Sequence, residues 1–210
     1  MNTYPKIQTI YKRDMDSPKK TIIEGAYSLP EFEYLADNEW VFTEKVDGTN
    51  IRVMMANGEI SFGGKTDNAQ IPAGLVKRLE QVFLPQADLL AAMFPEGGCL
   101  YGEGYGAKIQ KGGGNYRPDQ EFVLFDILVG GWWLRREAVE EDAAKLGLDV
   151  VPVIGRGTLP EMADIARMGF ESKWGQFPAE GIVARPAVEL WARDRQRIIA
   201  KIKHRDFVGG

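Results

Sequence analysis

Two runs rich in β-branched and aromatic residues, Trp40 to Lys45 and Thr49 to Ala56, are followed by Asn57-Gly58 and then by Glu59 to Phe62. An Asn-Gly pair between such runs is the strongest short signal for a two-residue type I′ hairpin, because both turn positions require positive φ. A chain that turns this tightly builds antiparallel sheet, whereas parallel strands need long crossovers. The rest of the sequence extends the pattern. Leu75, Leu79, Val82 and Phe83 recur at helical spacing and predict a helix from Pro72 toward Met93, broken or kinked at Pro85. Cys99 to Glu103 and Glu121 to Val129 read as strands separated by a glycine-rich loop carrying Lys108 and Lys111. Leu134 to Leu146 reads as a helix closed by Gly147. A strand at Val150 to Ile154, a helix at Leu159 to Met168, and strands at Gly181 to Arg185 and Arg197 to Lys203 follow. Strands outnumber helices and are joined by hairpins as well as helices, so the expected class is α+β, and a doubly wound sheet is disfavoured.

With 210 residues, 44% of them hydrophobic and 27% charged, the chain has enough apolar surface for a core without a metal or disulfide staple. No repeat, low-complexity tract or long linker divides it, and a single domain over residues 1–210 is the expectation. Cys99 has no second cysteine to pair with, and its neighbours Leu100 and Tyr101 describe a packed thiol in a reducing compartment. The start, Met1-Asn2-Thr3-Tyr4-Pro5-Lys6, lacks the apolar run of a secretory signal, and no window has the length of a membrane span. A cytoplasmic location is expected, or the host cytoplasm if the chain is phage-encoded. The net charge of -4 excludes a protein that coats nucleic acid by bulk electrostatics, but not a local basic groove. Arg193, Arg195, Arg197, Lys201, Lys203 and Arg205 form such a cluster, read either as a groove or as a solvated strand face.

Two motifs mislead. Gly102-Glu103-Gly104-Tyr105-Gly106 and His204-Arg205-Asp206 imitate a kinase glycine loop and catalytic triplet, but a kinase needs an Asn five residues beyond that Asp and then a metal-binding Asp-Phe-Gly, and only four residues follow Asp206. A dinucleotide fingerprint at Gly102, Gly104 and Ala107 requires a helix directly after it, where Gln110-Lys111-Gly112-Gly113-Gly114 predicts a loop. His204 is the only histidine, which leaves a histidine-based metal cluster or triad unsupported and suggests a surface residue.

The chemistry concentrates in Thr43-Glu44-Lys45-Val46-Asp47-Gly48-Thr49-Asn50, where a lysine ends a hydrophobic strand and a carboxylate and glycine follow. Alone, Asp-Gly is an ordinary turn. Gly64-Lys65-Thr66-Asp67, Leu100-Tyr101-Gly102-Glu103, Phe122-Val123-Leu124-Phe125-Asp126-Ile127, Ala179-Glu180-Gly181-Ile182-Val183 and Ile199-Ala200-Lys201-Ile202-Lys203 then come in order. Together, from about Trp40 to Phe207, these six segments resemble the ordered motifs of the covalent nucleotidyltransferases, the superfamily of polynucleotide ligases and messenger-RNA capping enzymes. Asn50 and the Gly102 to Tyr116 segment resemble the RNA ligases, of the phage RNA ligase 2 type and its RNA-editing relatives.

The resemblance implies an ATP-grasp-like core of two antiparallel sheets flanked by helices, with the nucleotide pocket between them. It implies an ATP-dependent ligase that joins a 5′-phosphate to a 3′-hydroxyl through a lysyl-AMP on Lys45 and then an adenylylated RNA end. The amine must be neutral to attack, a form that neighbouring cations or a divalent metal favour. By resemblance, Lys201 and Lys203 assist Lys45 at the α-phosphate. Their alternation puts both on one strand face with Ile202 on the other, which suits one anion. The resemblance further implies that Phe125 stacks on adenine, Glu44 reads its amino edge, Asn50 lies near sugar or phosphate, and Lys65 contacts phosphate. Asp47, Glu103 and Glu180 would hold Mg²⁺, with Mn²⁺ as an alternative, largely through water. Without the resemblance, Phe125 reads as core, and Glu103 and Glu180 as surface. Lys108, Lys111, Tyr105, Tyr116 and Arg117 are candidates for gripping the nucleic-acid strand. Only seven residues follow Lys203, so no carboxyl-terminal module is expected, and an accessory protein is a candidate replacement. The competing readings are a minimal DNA ligase, a nucleotide- or RNA-end-binding protein that does not complete ligation, and a capping guanylyltransferase.

Overall fold

The computed structural model describes residues 3–208; Met1, Asn2, Gly209 and Gly210, the ends of the single-domain span, lie outside the described residues. The strands are β1 (Gln8–Thr9), β2 (Tyr11–Arg13), β3 (Ile22–Tyr27), β4 (Trp40–Lys45), β5 (Thr49–Ala56), β6 (Glu59–Gly63), β7 (Gly98–Gly106), β8 (Gln120–Val129), β9 (Trp132–Trp133), β10 (Val153–Gly157), β11 (Gly181–Pro186) and β12 (Ala200–Lys203). The helices are α1 (Pro30–Tyr34), α2 (Ala73–Phe83), α3 (Ala87–Met93), α4 (Gly113–Tyr116), α5 (Arg136–Leu146), α6 (Leu159–Met168) and α7 (Arg205–Val208). The chain gathers into two compact units: residues through Tyr4 with Asp47–Val151, and Pro5–Val46 with the stretch from Pro152 onward.

In the first unit the strand order is β6-β5-β7-β8-β9. Asn57 at φ +53° and Gly58 at φ +78° make the β5–β6 turn with both residues left-handed, as the Asn-Gly pair predicts. One face of this sheet sends Ile51, Val53, Leu100, Phe122, Leu124 and Ile127 into a core with Leu75, Leu79 and Phe83 of α2 and Val139 and Ala143 of α5. Pro85 does interrupt the long helix: a 3-10 turn over Leu84–Gln86 separates α2 from α3. Gly147 ends α5 at φ +64°, although that helix begins at Arg136 rather than Leu134.

The glycine-rich segment after Glu103 corrects the expectation of a loop from that point, since β7 runs on through Gly106. Its glycines are strand residues because their neighbours fill the space where side chains would stand. A Cβ on Gly102 would lie 2.3 Å from the Phe122 ring and 2.4 Å from the Val123 carbonyl oxygen. One on Gly104 would lie 2.3 Å from Leu75 Cδ2.

In the second unit the order is β1-β12-β11-β4-β10, antiparallel except for the β1–β12 pair. Its core face carries Trp40, Phe42, Ile182, Ala184, Ala200 and Ile202 against Leu159, Met162, Ala163 and Ala166 of α6. That helix has the predicted bounds and starts with a reciprocal cap, Thr158 accepting from Glu161 N while the Glu161 carboxylate accepts from Thr158 N. The strand expected at Val150 begins at Val153, because Val150 still belongs to the first unit, where it makes only an isolated bridge to Leu124 of β8. The last strand begins at Ala200, not Arg197. Sheets in both units, flanked by helices, give the α+β class expected of the sequence.

Candidate active site

On β4, side chains alternate between faces, so Phe42 and Glu44 point toward the core side while Thr43 and Lys45 point away from it. Gly181 is the Cα partner of both Lys45 on β4 and Lys203 on β12, which brings three strand ends together. Only glycine fits there, since a Cβ would fall 2.2 Å from the Ile202 carbonyl oxygen. Glu180, immediately before Gly181, accepts from Lys45 Nζ at 2.5 Å with one oxygen and from Lys203 Nζ with the other. Arg205 comes within 3.9 Å of the same carboxylate. Lys45, Lys203 and Glu180 are largely but not wholly shielded, with side-chain exposures of 20%, 16% and 10%. Lys201 shares the β12 face of Lys203, and Ile202 turns to the core, as the alternation predicts.

Glu44 occupies a different environment on the opposite face. Its carboxylate accepts from Ser172 Oγ at 2.6 Å and from Lys173 N at 2.8 Å, and the residue is 1% exposed. Burial pushes its pKa up, while the Lys173 amide, the Ser172 hydroxyl and the Lys173 charge pull it back. Glu44 is therefore not grouped with Lys45, Glu180 and Lys203, and no motif or spacing points to Ser172 as its partner.

The first unit places another three of the expected residues on one surface, the sheet face away from its core. Asn50 on β5 is the Cα partner of Glu103 on β7. A bulge opposite Tyr101 and Gly102 leaves Phe125 out of register, so that Phe125 and Asp126 both face away from the core while Leu124 and Ile127 face into it. The core alternative for Phe125 is thereby corrected: its ring meets Tyr4 edge-on, with centroids 5.0 Å apart. Tyr4 also packs on Tyr101 and Trp133 and donates to Asp126 at 2.7 Å. The side-chain oxygen of Asn50 is buried with no hydrogen-bond partner. Asp47 is half-buried, its amide donating to the Tyr116 hydroxyl at 3.1 Å. Gly48 lies so close to β7 that a Cβ would be 2.3 Å from the Gly104 carbonyl oxygen. Lys65 is exposed on a turn held by Arg52, which donates to the Gly64 carbonyl and pairs with Asp67.

The residues expected to grip a nucleic-acid strand lie in different environments. Tyr105 is buried at 2% exposure with its ring edge-on to Tyr116, and Arg117 is engaged by Asp119 and Glu121. Lys108 and Lys111 are exposed. The basic cluster near the end is not one face either: Arg197 is buried against Glu189, and Arg193 and Arg195 flank a turn. His204 is half-buried, its Nδ1 3.0 Å from the Ala166 carbonyl oxygen, rather than a surface residue. Burial raises the Cys99 thiol to about 11, consistent with a packed, unreactive cysteine. Among the described residues, no group of three or more His, Cys, Asp or Glu side chains is arranged to hold a metal ion, and no helix is long and apolar enough to cross a membrane. Carboxylate oxygens are nonetheless the donors that suit magnesium, which takes one or two of them together with phosphate and water.

Solved structures share this architecture. Naegleria gruberi RNA ligase, as an apo mutant, superposes with a TM-score of 0.66 at 18% identity over 96% of this chain and 57% of its own. A mutant of the same protein solved with ATP and Mn gives 0.66 at 17% identity, covering 94% of this chain and 58% of its own. The form solved with PPi gives 0.65 at 18% identity, over 96% and 57%. The chain thus spans less than three fifths of these proteins, and the fold is that of the RNA ligase nucleotidyltransferases. The family model for RNA ligase matches residues 38–203, from just before β4 to the end of β12. The chain belongs to the RNA ligase family.

Proposed function

We propose that this chain is an ATP-dependent RNA ligase that charges Lys45 with AMP and joins a 5′-phosphate to a 3′-hydroxyl. The observation that carries this reading is the Glu180 carboxylate held between Lys45 and Lys203, because it fixes a nucleophile and a second cation beside each other. Lys45 Nζ would attack the α-phosphorus of ATP. The Nζ–P bond forms as the bond from that phosphorus to the bridging oxygen breaks, pyrophosphate leaves, and Nζ gives up a proton. Lys203 and Lys201 would neutralise charge that grows on the α-phosphate oxygens, the main way in which proteins assist phosphoryl chemistry. AMP then passes to the 5′-phosphate of an RNA end, freeing Lys45, and the 3′-hydroxyl displaces AMP as the phosphodiester forms.

Phe125, half-buried on the sheet face away from the core, would stack on adenine, and Asn50 would turn its unpartnered oxygen to a ribose hydroxyl. Glu44 would accept from the adenine amine, and Lys65 would reach a phosphate. By resemblance, Asp47, Glu103 and Glu180 would offer oxygen donors to Mg²⁺ or Mn²⁺, which when bound would offset the charge of the phosphates. The Naegleria gruberi RNA ligase solved with ATP and Mn supports the use of ATP and a divalent metal.

Intact mass of the purified protein after incubation with Mg²⁺ and each nucleoside triphosphate is the test. An adduct of one AMP is expected from ATP, absent in Lys45→Ala and formed on the order of 100-fold more slowly in Lys203→Ala. Folded, uncharged protein that acquires no adduct would overturn the self-charging enzyme. Sealing of a nick is then expected to be faster with RNA than with DNA at the 3′-hydroxyl; the reverse order would point to a DNA ligase.

A further inference from the structure

The loop from Glu171 to Pro178 is closed at its base by a bridge between those two residues, with Ser172 N donating to the Phe177 carbonyl at 2.8 Å. Within it, Ser172 Oγ accepts from Trp174 N at 3.1 Å and donates to Glu44. The direction of the hydroxyl proton is therefore fixed: the oxygen takes a proton from the backbone amide and offers its own to the carboxylate. Lys173 N supplies a second donor to the other carboxylate oxygen. An ionised carboxylate has about four acceptor directions, more than these two bonds use. Because Glu44 is almost wholly removed from water, a donor lost there is not replaced by solvent.

We infer that Ser172, with the Lys173 amide, is a positioning residue that holds Glu44 to select a nucleotide bearing an amino group at the adenine 6-position. The inference rests on the adenylylation proposed above. Adenine presents an N–H donor at that position, whereas guanine presents a carbonyl oxygen that a carboxylate repels. Purine riboside triphosphate presents neither and serves as the neutral comparison. Removing the hydroxyl takes away the donor that meets Glu44 Oε1, so the carboxylate loses its fixed orientation while Lys45, Glu180 and Lys203 keep theirs.

The experiment measures kcat/KM for lysyl-nucleotide formation with ATP and with purine riboside triphosphate, in the wild type, Ser172→Ala, Ser172→Thr and Lys173→Ala, each shown folded by its thermal midpoint. A hydrogen bond to a charged group makes a wild-type preference for ATP of about tenfold or more the expectation. That preference should fall toward unity in Ser172→Ala, with the rate for the purine analogue little changed. It should survive in Ser172→Thr, which keeps the hydroxyl, and in Lys173→Ala, which keeps the backbone amide. An unchanged preference in Ser172→Ala, or a loss shared equally by both nucleotides, overturns the positioning role and leaves adenylylation standing. A wild type that labels equally with both nucleotides also overturns it, while a wild type that labels with neither overturns the enzyme reading itself.

Discussion

If Glu44 reads the adenine amine as proposed, its protonation and the recognition of the nucleotide are tied together. Desolvation raises its pKa above the ordinary 4.5, and the donors that face it, the Ser172 hydroxyl, the Lys173 amide and the Lys173 ammonium, oppose that rise. Only the ionised form has free lone pairs on both oxygens to receive an amine. The preference for ATP over the purine analogue should therefore be full above the raised pKa and should fade as pH drops through it. Replacing Ser172 by alanine removes an influence that lowers the pKa, so whatever preference remains should fade at higher pH than in the wild type. The pH dependence of the ratio of the two kcat/KM values measures this directly, and a midpoint moving downward in the variant would contradict the assignment. The neighbouring Lys45 points away from the core face, so the strand puts Glu44 and Lys45 on opposite sides, and in the proposed function these would serve recognition and chemistry.

At the scale of elements, the segments legible in the sequence are those whose signals are local. Trp40–Lys45, Thr49–Ala56 and Leu159–Met168 fall where residue patterning puts them, and the Asn57-Gly58 turn has the φ values its chemistry demands. What was not legible depends on distant partners. Strand β7 continues through glycines because Phe122 and Leu75 occupy the space their side chains would need. The short β1 to β3 and the bulge that turns Phe125 outward likewise leave no periodic trace. The lysines of the site were readable from the order of the motifs, but Ser172 lies 128 residues from Glu44 in a stretch with no pattern of its own. The cap of α6 tests the local side of this contrast. Thr158→Ala removes the acceptor for Glu161 N and should cost about 1 kcal/mol, lowering the thermal midpoint by roughly 2–4 °C. An unchanged midpoint would mean that packing of Met162, Ala163 and Ala166 alone holds the helix start.

At the scale of the molecule, charge decides how nucleic acid can be held. A net charge of -4 provides no general attraction for a polyanion, so affinity must come from a few placed cations. Many of the cations are already committed to carboxylates: Arg52 to Asp67, Arg78 and Arg117 to Glu121, Arg197 to Glu189, and Lys45 and Lys203 to Glu180. Lys108, at φ +67° just beyond β7, and Lys111 stand exposed on the loop that also sends Gln110 to the Gly48 carbonyl. Under the proposed function they are candidates to meet phosphates of the RNA strand. Each phosphate neutralised on a single strand contributes about 0.7 to the slope of log K against log salt. The Lys108→Ala, Lys111→Ala double variant should therefore bind a 5′-phosphorylated RNA strand more weakly and with a slope shallower by about 1.4, while lysyl-AMP formation stays near the wild-type rate. Titrations at several salt concentrations, read beside the mass of the adduct, separate this from Arg117→Ala, which should leave the slope in place because Asp119 and Glu121 already neutralise that side chain. A double variant with an unaltered slope would move the strand-binding surface away from this loop.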